Sequence, residues 1–532
     1  MKKRSTKLLA LVLACLMVVS LVAACAPGGT TDPPDTGTTA PTDPGTGTGG
    51  GGAAATPDRT LYVAVAQDSG SLHPHGITGV GGFISAILTV YETLFNMLPD
   101  GSFEMVLAER IEEISDVQYI IHIRQGVTFS NGNPLTAHDV MFTMNYVREH
   151  PRLSAEVRPV CFERTSVLDD YRLDLWLLNY DAGAFPGFTL MYILNEASYD
   201  ALALASDPIG TGPFQVVEYV VNSHLIVEVR DDYWGPRPAI DRIHFRVLNE
   251  PSQRVNALMT GDVHYATIPI REAEFVRSLG LIVDEISQGT ALGAFFNVTE
   301  GGLLGTPAAR EAIAHAIDRQ AIVNIAYSGI GGVPRWPTSE ATVDFEERFA
   351  NMHPIYSVGY DPARARELAE QEGLVGQTIR IITNGTEELV TVAEVMQHHL
   401  HEIGINAQII NYDQATYWAV MSDEDNFEIA LQMIASPDNR GLRHMGYIRF
   451  FPLGWTHPDL EGYLALFNQG MATRDVAVRA ELLYELVEIH QRHHLWYALV
   501  DLVSPHAYSS ELGGVTFYLD GSLRFQNWYW RG

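Results

Sequence analysis

A strand, a tight turn and the start of a helix follow one another within a short stretch, and this succession constrains the fold. Tyr119–Arg124 alternates apolar and polar residues, the period of a half-buried strand. Asn131–Pro134 has the composition of a turn. Thr136 can then cap a helix whose first turn carries Asp139, where the helix dipole favours a carboxylate. The stretch predicts strand, turn and helix in succession, and it contains no catalytic pattern.

The same stretch resembles the family 5 extracellular solute-binding proteins, which serve oligopeptide, dipeptide and nickel ABC importers. The residues that carry the resemblance are Tyr91–Leu94 (YETL), Leu107–Glu109 (LAE), Ile123–Phe129 (IRQGVTF) and Asn131–Val140 (NGNPLTAHDV). Asp207–Phe214 (DPIGTGPF) and Arg310–Arg319 (REAIAHAIDR) match two further family motifs. The resemblance therefore extends from about Leu61 to the C-terminus.

The resemblance implies an α/β fold with two lobes, the large three-domain variant of the type II periplasmic-binding-protein fold, with a ligand cleft between the lobes. A chain of 532 residues is too long for a single hydrophobic core, which agrees with several domains. The expected bounds are a lipoprotein signal peptide at 1–24, a disordered Pro/Gly/Thr tether at 25–57, domain I of lobe 1 at 58–100, 210–290 and 508–532, domain II of lobe 1 at 101–209, and lobe 2 at 291–507.

The N-terminus has the pattern of an export signal followed by a lipid attachment residue. Met1–Lys7 is basic and Leu8–Val22 is apolar but short for a membrane span. Leu21–Cys25 resembles the lipobox of bacterial lipoproteins, which implies cleavage before Cys25 and lipidation of its sulfur. Two acyl chains would suffice for stable anchoring. An exported protein, lipid-anchored to the outer face of the cell membrane or on the periplasmic side, is expected; an ordinary secretory signal is the alternative.

Net charge and cysteine content limit the partners. A formal charge of −30 repels nucleic acid and anionic lipid headgroups, so no nucleic-acid partner is expected, and membrane contact is expected through the lipid anchor only. Cys161 is the one cysteine beyond the N-terminal segment, so the folded body cannot form an internal disulfide. We expect a monomer.

Candidate ligand-binding residues come from positions at which the family presents side chains to its cleft. Peptide-binding members carry an aspartate that pairs with the α-ammonium of the ligand. In this chain the strand that begins at Phe427 places Pro437 at that position, with Asp438 one residue later. The full candidate set is Asp438, Ser436, Trp418, Tyr417, Ser69 and Gly70. Core packing is the alternative for both aromatics, and the ligand class stays open between peptides, other polar or cationic solutes, and sugars.

Histidines on a predicted helix from about Thr473 to Tyr497 raise the question of a metal site. His490, His493 and His494 share one helix face, but a solvated or partly packed face is favoured over metal binding. No G-x-S-x-G, H-E-x-x-H or phosphate-binding loop motif is present. No catalytic residue, metal or cofactor is expected.

The resemblance therefore implies a substrate-binding lipoprotein that passes a peptide or small-molecule ligand to an ABC permease and its ATPase. Two alternatives remain: a lipoprotein receptor for sensing or signalling without transport, and a secreted hydrolase.

Overall fold

The computed structural model describes residues 59–76, 84–98, 101–150, 153–421, 426–436, 439–449, 456–518 and 522–531. All of them fall within one unit of contacting residues, Asp58–Gly532. The predicted signal peptide and tether, the lipidation residue Cys25, and Asp438 lie outside the described residues. Within the described ranges, no helix has the length and apolar character that crossing a membrane requires.

Strands and helices are interspersed along the described residues, in runs of one to four elements of the same kind. The strands are β1 Thr60–Val65, β2 Phe95–Met97, β3 Phe103–Met105, β4 Ala108–Ser115, β5 Gln118–Ile123, β6 Ser166–Asp169, β7 Arg172–Trp176, β8 Phe214–Val220, β9 His224–Val229, β10 Arg242–Val247, β11 Tyr265–Thr267, β12 Ile282–Phe296, β13 Thr378–Thr383, β14 Asn406–Asn411, β15 Ile429–Ile434, β16 Trp496–Tyr508, β17 Leu512–Gly513 and β18 Tyr529–Trp530. The helices are α1 Ile84–Val90, α2 Ala137–Glu149, α3 Ala184–Phe188, α4 Pro251–Thr260, α5 Ala273–Ser278, α6 Pro307–Ala316, α7 Arg319–Ala326, α8 Pro354–Ser357, α9 Pro362–Gln371, α10 Glu387–Glu402, α11 Gln414–Met421, α12 Gly441–Met445, α13 Asp459–Met471 and α14 Val476–His493.

One ten-stranded sheet runs through the unit in the order β14-β13-β15-β12-β16-β11-β1-β10-β9-β8. Near one end, β1 lies between two parallel neighbours, β10 and β11. Near the other end, β13 lies between two parallel neighbours, β14 and β15. Parallel neighbours require crossover connections, which are usually helical. Each end of the sheet is therefore an α/β lobe: lobe 1 contains β1 and lobe 2 contains β13.

Two long antiparallel strands, β12 and β16, join the lobes. Ile282–Ser287 of β12 pairs with Val503–Tyr508, and Ala291–Phe295 pairs with Trp496–Asp501. The pairing register breaks between Ser287 and Ala291. Gly289, within that break, has φ 62°, a left-handed conformation that favours glycine. A register break interrupts the ladder and bends the strand, so the connection is irregular at the point where one lobe passes into the other.

Separate apolar clusters form the cores of the two lobes. The cluster of lobe 2 includes Phe295, Trp336, Ile381, Tyr417 and Trp496, all with at most 1% of their surface exposed. The cluster around β1, β9 and β10 in lobe 1 includes Leu61, Phe245, Phe525 and Trp528, all buried to the same extent. Because the buried surface divides in this way, each lobe has a core that does not depend on the other.

A four-stranded antiparallel sheet, β4-β5-β7-β6, carries a further core with helix α2. The predicted strand at Tyr119–Arg124 is confirmed as β5, and the helix predicted after Thr136 is confirmed as α2. Asp139 does more than complement the helix dipole. One of its carboxylate oxygens accepts hydrogen bonds from the Thr136 backbone N–H and hydroxyl, both at 2.9 Å. The other accepts from the Asn195 side-chain amide at 3.0 Å and the Glu196 N–H at 2.9 Å.

The predicted helix from Thr473 to Tyr497 is too long. Helix α14 ends at His493, because His494 takes a left-handed conformation with φ 48°. The apolar residues that follow enter β16 at the centre of the large sheet, where Trp496–Val500 is fully buried. Burial in the sheet thus overrides the helical continuation that the local sequence favours.

Candidate ligand-binding cleft

Each lobe has a strand at which successive connections leave towards opposite sides. In lobe 1, the chain places β10 on one side of β1 and then β11 on the other. In lobe 2, it places β14 on one side of β13 and then β15 on the other. Such a switch point leaves a crevice outside the carboxyl ends of the strands, where ligands bind in open α/β sheets. The loops after β1 and β13 are therefore the structural candidates for a ligand site.

The loop after β1 holds two predicted site residues, Ser69 and Gly70. The Ser69 hydroxyl donates to the Ser71 carbonyl at 2.6 Å, and the Gly70 N–H donates to an Asp68 carboxylate oxygen at 2.9 Å. The Asp68 carboxylate also accepts from the Tyr219 hydroxyl at 2.8 Å and the Asn222 N–H at 2.6 Å. Asp68 therefore fixes this loop to the hairpin between β8 and β9, and its charge already has three donors.

The same loop ends in two buried histidines. His73 accepts a hydrogen bond from the His75 N–H at 3.2 Å, and the His75 ring contacts the Tyr192 carbonyl at 2.9 Å. Burial lowers the pKa of His73 to about 4 and that of His75 to about 3. Both imidazoles are consequently neutral at pH 7, and they contribute no charge to this side of the crevice.

Side chains next to β13 order the facing loop of lobe 2. The Thr383 hydroxyl donates to the Asn411 side-chain oxygen at 2.7 Å and accepts from the Gly385 N–H at 3.0 Å. The Asn384 side-chain oxygen accepts from the Thr386 hydroxyl at 3.1 Å. Polar groups at the ends of adjacent strands are thereby held in one defined arrangement.

The two predicted aromatics occupy different environments. Tyr417 has no exposed surface, and its hydroxyl donates to the Leu431 carbonyl at 2.6 Å. Trp418, the next residue of α11, is 41% exposed. Tyr417 therefore packs in the core of lobe 2, and Trp418 is the aromatic of this pair that offers surface to a ligand.

Ser436 follows β15 at the edge where the candidate aspartate was predicted. Its hydroxyl accepts a hydrogen bond from the Arg440 N–H at 3.2 Å, and its carbonyl accepts from the Asn439 N–H at 3.0 Å. Both bonds join Ser436 to residues that follow positions 437–438, which lie outside the described residues. The assignment of Ser69, Gly70, Trp418, Ser436 and Asp438 to ligand binding stays a prediction, whereas the full burial of Tyr417 favours the core-packing alternative for that residue.

Among the described residues, several ion pairs that the sequence did not indicate join the lobes, including those of Arg271 and Arg474. Arg271 follows β11 in lobe 1 and lies 3.3 Å from Glu387, the first residue of α10 in lobe 2. Arg474, between α13 and α14, lies 2.6 Å from Glu113 and 3.3 Å from Asp116. Partners more than 100 residues apart leave no local pattern, so only paired variation among relatives could have revealed them.

Further contacts surround Arg474. Its guanidinium donates to the Tyr119 hydroxyl at 2.9 Å and lies over the Tyr180 ring, 4.8 Å from the centroid. Close by, the Ala182 N–H donates to the Met471 carbonyl at 2.8 Å. We call Arg474 with Glu113, Asp116 and Tyr119 the rim cluster; it connects the four-stranded sheet to lobe 2.

A buried carboxyl lies at the junction between the lobes. Asp501 is the β16 residue paired with Ala291, directly after the register break. Its backbone N–H donates to the Gly332 carbonyl at 2.8 Å. Burial raises the pKa of Asp501 to about 6, opposed in part by a hydrogen bond from Ser339. The sequence did not single out this residue, because its burial depends on residues from distant parts of lobe 2.

Two surface cavities lie away from the switch points. One, of about 430 Å³, is on the four-stranded sheet and is lined by residues such as His122, Asp169 and Arg172. The other, of about 700 Å³, lies between α13 and α14 and is lined by residues such as Gln469, Glu485 and Arg492. Neither is bounded by the carboxyl ends of β1 or β13, so strand topology is the better guide to the ligand site.

Comparisons with known proteins place the chain in a family. The family described as "Bacterial extracellular solute-binding proteins, family 5 Middle" matches residues 102–441. The oligopeptide-binding protein AppA of Bacillus subtilis is 25% identical over 352 residues, which cover 61% of this chain and 63% of AppA. The nickel-binding periplasmic protein of Escherichia coli is 24% identical over 402 residues, which cover 70% of this chain and 74% of that protein.

Solved structures show the same fold. The ABC transporter substrate-binding protein CtaP of Listeria monocytogenes superposes with a TM-score of 0.76 at 20% sequence identity, covering 89% of this chain and 99% of CtaP. The type II periplasmic-binding-protein fold, with its two lobes, is therefore the fold of this chain. Since the family match spans more than half of the sequence, the chain belongs to the family 5 bacterial extracellular solute-binding proteins.

Proposed function

We propose that the chain is the substrate-binding lipoprotein of an ABC importer, which captures a peptide or a similar small polar solute between its lobes and delivers it to a membrane permease. The observation that carries the proposal is the topology: a switch point in each lobe, with the lobes joined by β12 and β16, whose pairing register breaks at Gly289. The naming of AppA as oligopeptide-binding supports peptides as the first ligand class to test.

Function would come from closure. A ligand that contacts both lobes stabilises the closed arrangement over the open one, and the two strands of the junction absorb the change in backbone angles. The closed form would dock on the permease, whose ATPase supplies the energy. The naming of CtaP as an ABC transporter protein supports these partners. In this proposal the chain acts as a monomer and catalyses no reaction.

Uptake in the native cell tests the transport role. Deleting the gene should abolish accumulation of a labelled peptide that the purified full chain binds in calorimetry. Binding without any loss of uptake would instead indicate a sensing receptor, and consumption of the bound peptide would indicate a hydrolase. The lipid anchor is tested separately: Cys25→Ser should abolish lipid labelling and release the protein from membranes.

Asp438 provides a test of the peptide proposal at one residue. A peptide brings an α-ammonium whose burial without a partner is costly. Asp438→Asn keeps the shape of the side chain and removes its charge, so peptide affinity should fall by on the order of 2–5 kcal/mol. Asp231→Asn, at a fully exposed carboxylate in lobe 1, is the matched control. If the wild type, Asp438→Asn and Asp231→Asn bound the peptide with equal dissociation constants, Asp438 would not be part of the ligand site.

A further inference from the structure

Helices α13 and α14 bring three potential metal ligands together on the outer side of lobe 2. Asp459 is the first residue of α13, and His457 lies two residues before it. His493 is the last residue of α14. The two helices pack against each other, so the start of α13 meets the end of α14. Of the histidines considered for metal binding on α14, His493 thus acquires its partners from a different helix.

The distances among these side chains suit a small cation. One Asp459 carboxylate oxygen lies 2.8 Å from Nε2 of His493 and 3.7 Å from Nδ1 of His457. In a tetrahedral zinc site, with metal–ligand bonds of about 2.0–2.2 Å, neighbouring ligand atoms are roughly 3.3–3.5 Å apart. The two observed distances lie on either side of that spacing. The candidate ligand atoms of all three side chains lie within 4.8 Å of one another, so modest side-chain rearrangement would produce a three-ligand site.

The site is rigid on one side and accessible on the other. His493 is 6% exposed, and its backbone carbonyl accepts hydrogen bonds from two nitrogens of the Arg310 guanidinium, at 2.9 and 2.7 Å. The end of α14 is thereby fixed to α6. The side chains of His457 and Asp459 are 46% and 37% exposed. Water can thus enter and complete the coordination, as in zinc sites with three protein ligands.

Existing interactions oppose metal binding, among them the 2.8 Å hydrogen bond between His493 Nε2 and the Asp459 carboxylate. The His457 ring accepts a hydrogen bond from the Asp459 N–H at 3.1 Å, which coordination through Nδ1 would break. A guanidinium nitrogen of Arg492 lies 3.9 Å from the Asp459 carboxylate. Arg492 also lies 3.3 Å from Glu488, so it keeps a carboxylate partner when Asp459 turns towards a cation. These competing interactions lower the affinity of the site for a metal ion, but they do not prevent binding.

We propose that His457, Asp459 and His493 form a binding site for a first-row transition-metal dication such as Zn²⁺, separate from the ligand cleft. Two imidazoles and a carboxylate are ligands that zinc accepts, and imidazole also suits nickel and copper. A bound ion would tie the start of α13 to the end of α14 and stabilise lobe 2. The proposal does not depend on what the cleft binds.

Calorimetric titration of the full chain with Zn²⁺, in a buffer that does not chelate metals, tests the site. His457→Gln and Asp459→Asn each remove one ligand, and removing a direct ligand should weaken this site by about tenfold or more, since loss of an outer partner alone costs 10–100-fold. His398→Gln is the matched control, because that side chain is 72% exposed on α10, outside the cluster. Its isotherm should equal that of the wild type.

A second measurement separates metal binding from misfolding. Zn²⁺ should raise the thermal unfolding midpoint of the wild type and of His398→Gln, but not that of His457→Gln or Asp459→Asn. Without metal, the two cluster variants should unfold at the same urea concentration as the wild type, since both substituted side chains are partly exposed. The proposal would be overturned if the wild type did not bind zinc, or if both cluster variants bound zinc with the same affinity as the wild type.

Discussion

At the scale of single residues, neighbours in sequence can have opposite roles. Tyr417 and Trp418 are adjacent on α11, yet the tyrosine is fully buried and the tryptophan is 41% exposed. The Tyr417 hydroxyl donates a hydrogen bond to the Leu431 carbonyl, a backbone acceptor inside lobe 2. The two residues should therefore affect stability and binding in opposite ways.

Tyr417→Phe should lower the free energy of unfolding by about 1 kcal/mol, because the Leu431 carbonyl loses its donor in a buried place. It should leave ligand affinity unchanged. Trp418→Ala should do the reverse: stability changes little, while affinity for the cleft ligand falls by about 1 kcal/mol or more if the ring contacts it. Urea unfolding and calorimetry on both variants provide the test. A loss of affinity in Tyr417→Phe alone would contradict these assignments.

At the scale of elements, the junction in β12 decides how the lobes are connected. Gly289 has φ 62°, and a Cβ built on it would lie 1.5 Å from the Asn439 side-chain oxygen. Asn439 follows β15 in the chain, and its side-chain amide donates to the Ala341 carbonyl at 3.1 Å. The register break in β12 thus lies directly against the Asn439 side chain.

Gly289→Ala should destabilise the chain by about 1–2 kcal/mol from the backbone conformation alone, with an added cost for displacing Asn439. Ligand affinity should change as well, because the displaced Asn439 donates its N–H to the carbonyl of Ser436, a candidate ligand-binding residue. Gly462→Ala is the matched control: this exposed position of α13 has no atom within 4 Å of the added methyl. There, alanine should raise stability by about 0.5–1 kcal/mol. Equal effects at both glycines would refute the role given to Gly289.

At the scale of the whole molecule, the rim cluster and the Arg271–Glu387 pair connect surfaces that belong to different cores. The Arg474 side chain is 40% exposed, so each of its ion pairs is screened by solvent. Together, the several partners of this one guanidinium nevertheless hold the two surfaces in one relative position. If the chain closes and opens as proposed, such contacts belong to the closed arrangement and are lost when the lobes separate.

Arg474→Gln should shift the chain without ligand towards a more open form, since it removes contacts on the order of 0.2–1 kcal/mol each. Small-angle X-ray scattering should show a larger radius of gyration than in the wild type, and added salt should narrow the difference. The control is Arg237→Gln, whose partners Asp231 and Asp241 lie within lobe 1. Identical scattering from both variants and the wild type would show that the rim cluster does not hold the lobes together.

Buried histidines determine how the whole molecule responds to acid. Burial lowers the pKa of His494 to about 2, of His75 and His444 to about 3, and of His73 and His506 to about 4, and it holds the pKa of His490 well below its usual value. Between these values and about 6.5, the unfolded chain binds more protons than the folded one. Stability should therefore fall as the pH drops below about 6.5.

Two buried carboxyls act in the opposite sense. Burial raises the pKa of Glu92 to about 7 and that of Asp501 to about 6, so their contribution to stability is lost as the pH rises towards neutrality. The histidines outnumber them, and thermal midpoints should still decrease from pH 7 to pH 5. His490→Leu should flatten this dependence, while the exposed His398→Gln should not. A midpoint that is constant over this range would contradict the burial of neutral imidazoles.

Local chemistry was sufficient for much of the fold and for the family. The alternation in β5, the turn before Thr136 and the capping carboxylate of Asp139 are set by residues within a few positions of one another. The same short motifs carry the family resemblance that the comparisons confirm. For the site, the family resemblance predicts that the loop after β1 lies beside the cleft, and this assignment stays a prediction.

Other features depend on residues that are far apart in sequence, and only the tertiary structure decides them. Helix α14 ends at His493 because β16 is buried in the sheet, and β12 reaches 15 residues because it pairs with β16 on both sides of the register break. Asp459 meets His493, and Arg474 meets Glu113, across loops that no sequence period describes. Periodicity reports which face of an element is apolar, whereas the partner of a charged side chain is chosen by the packing of whole elements.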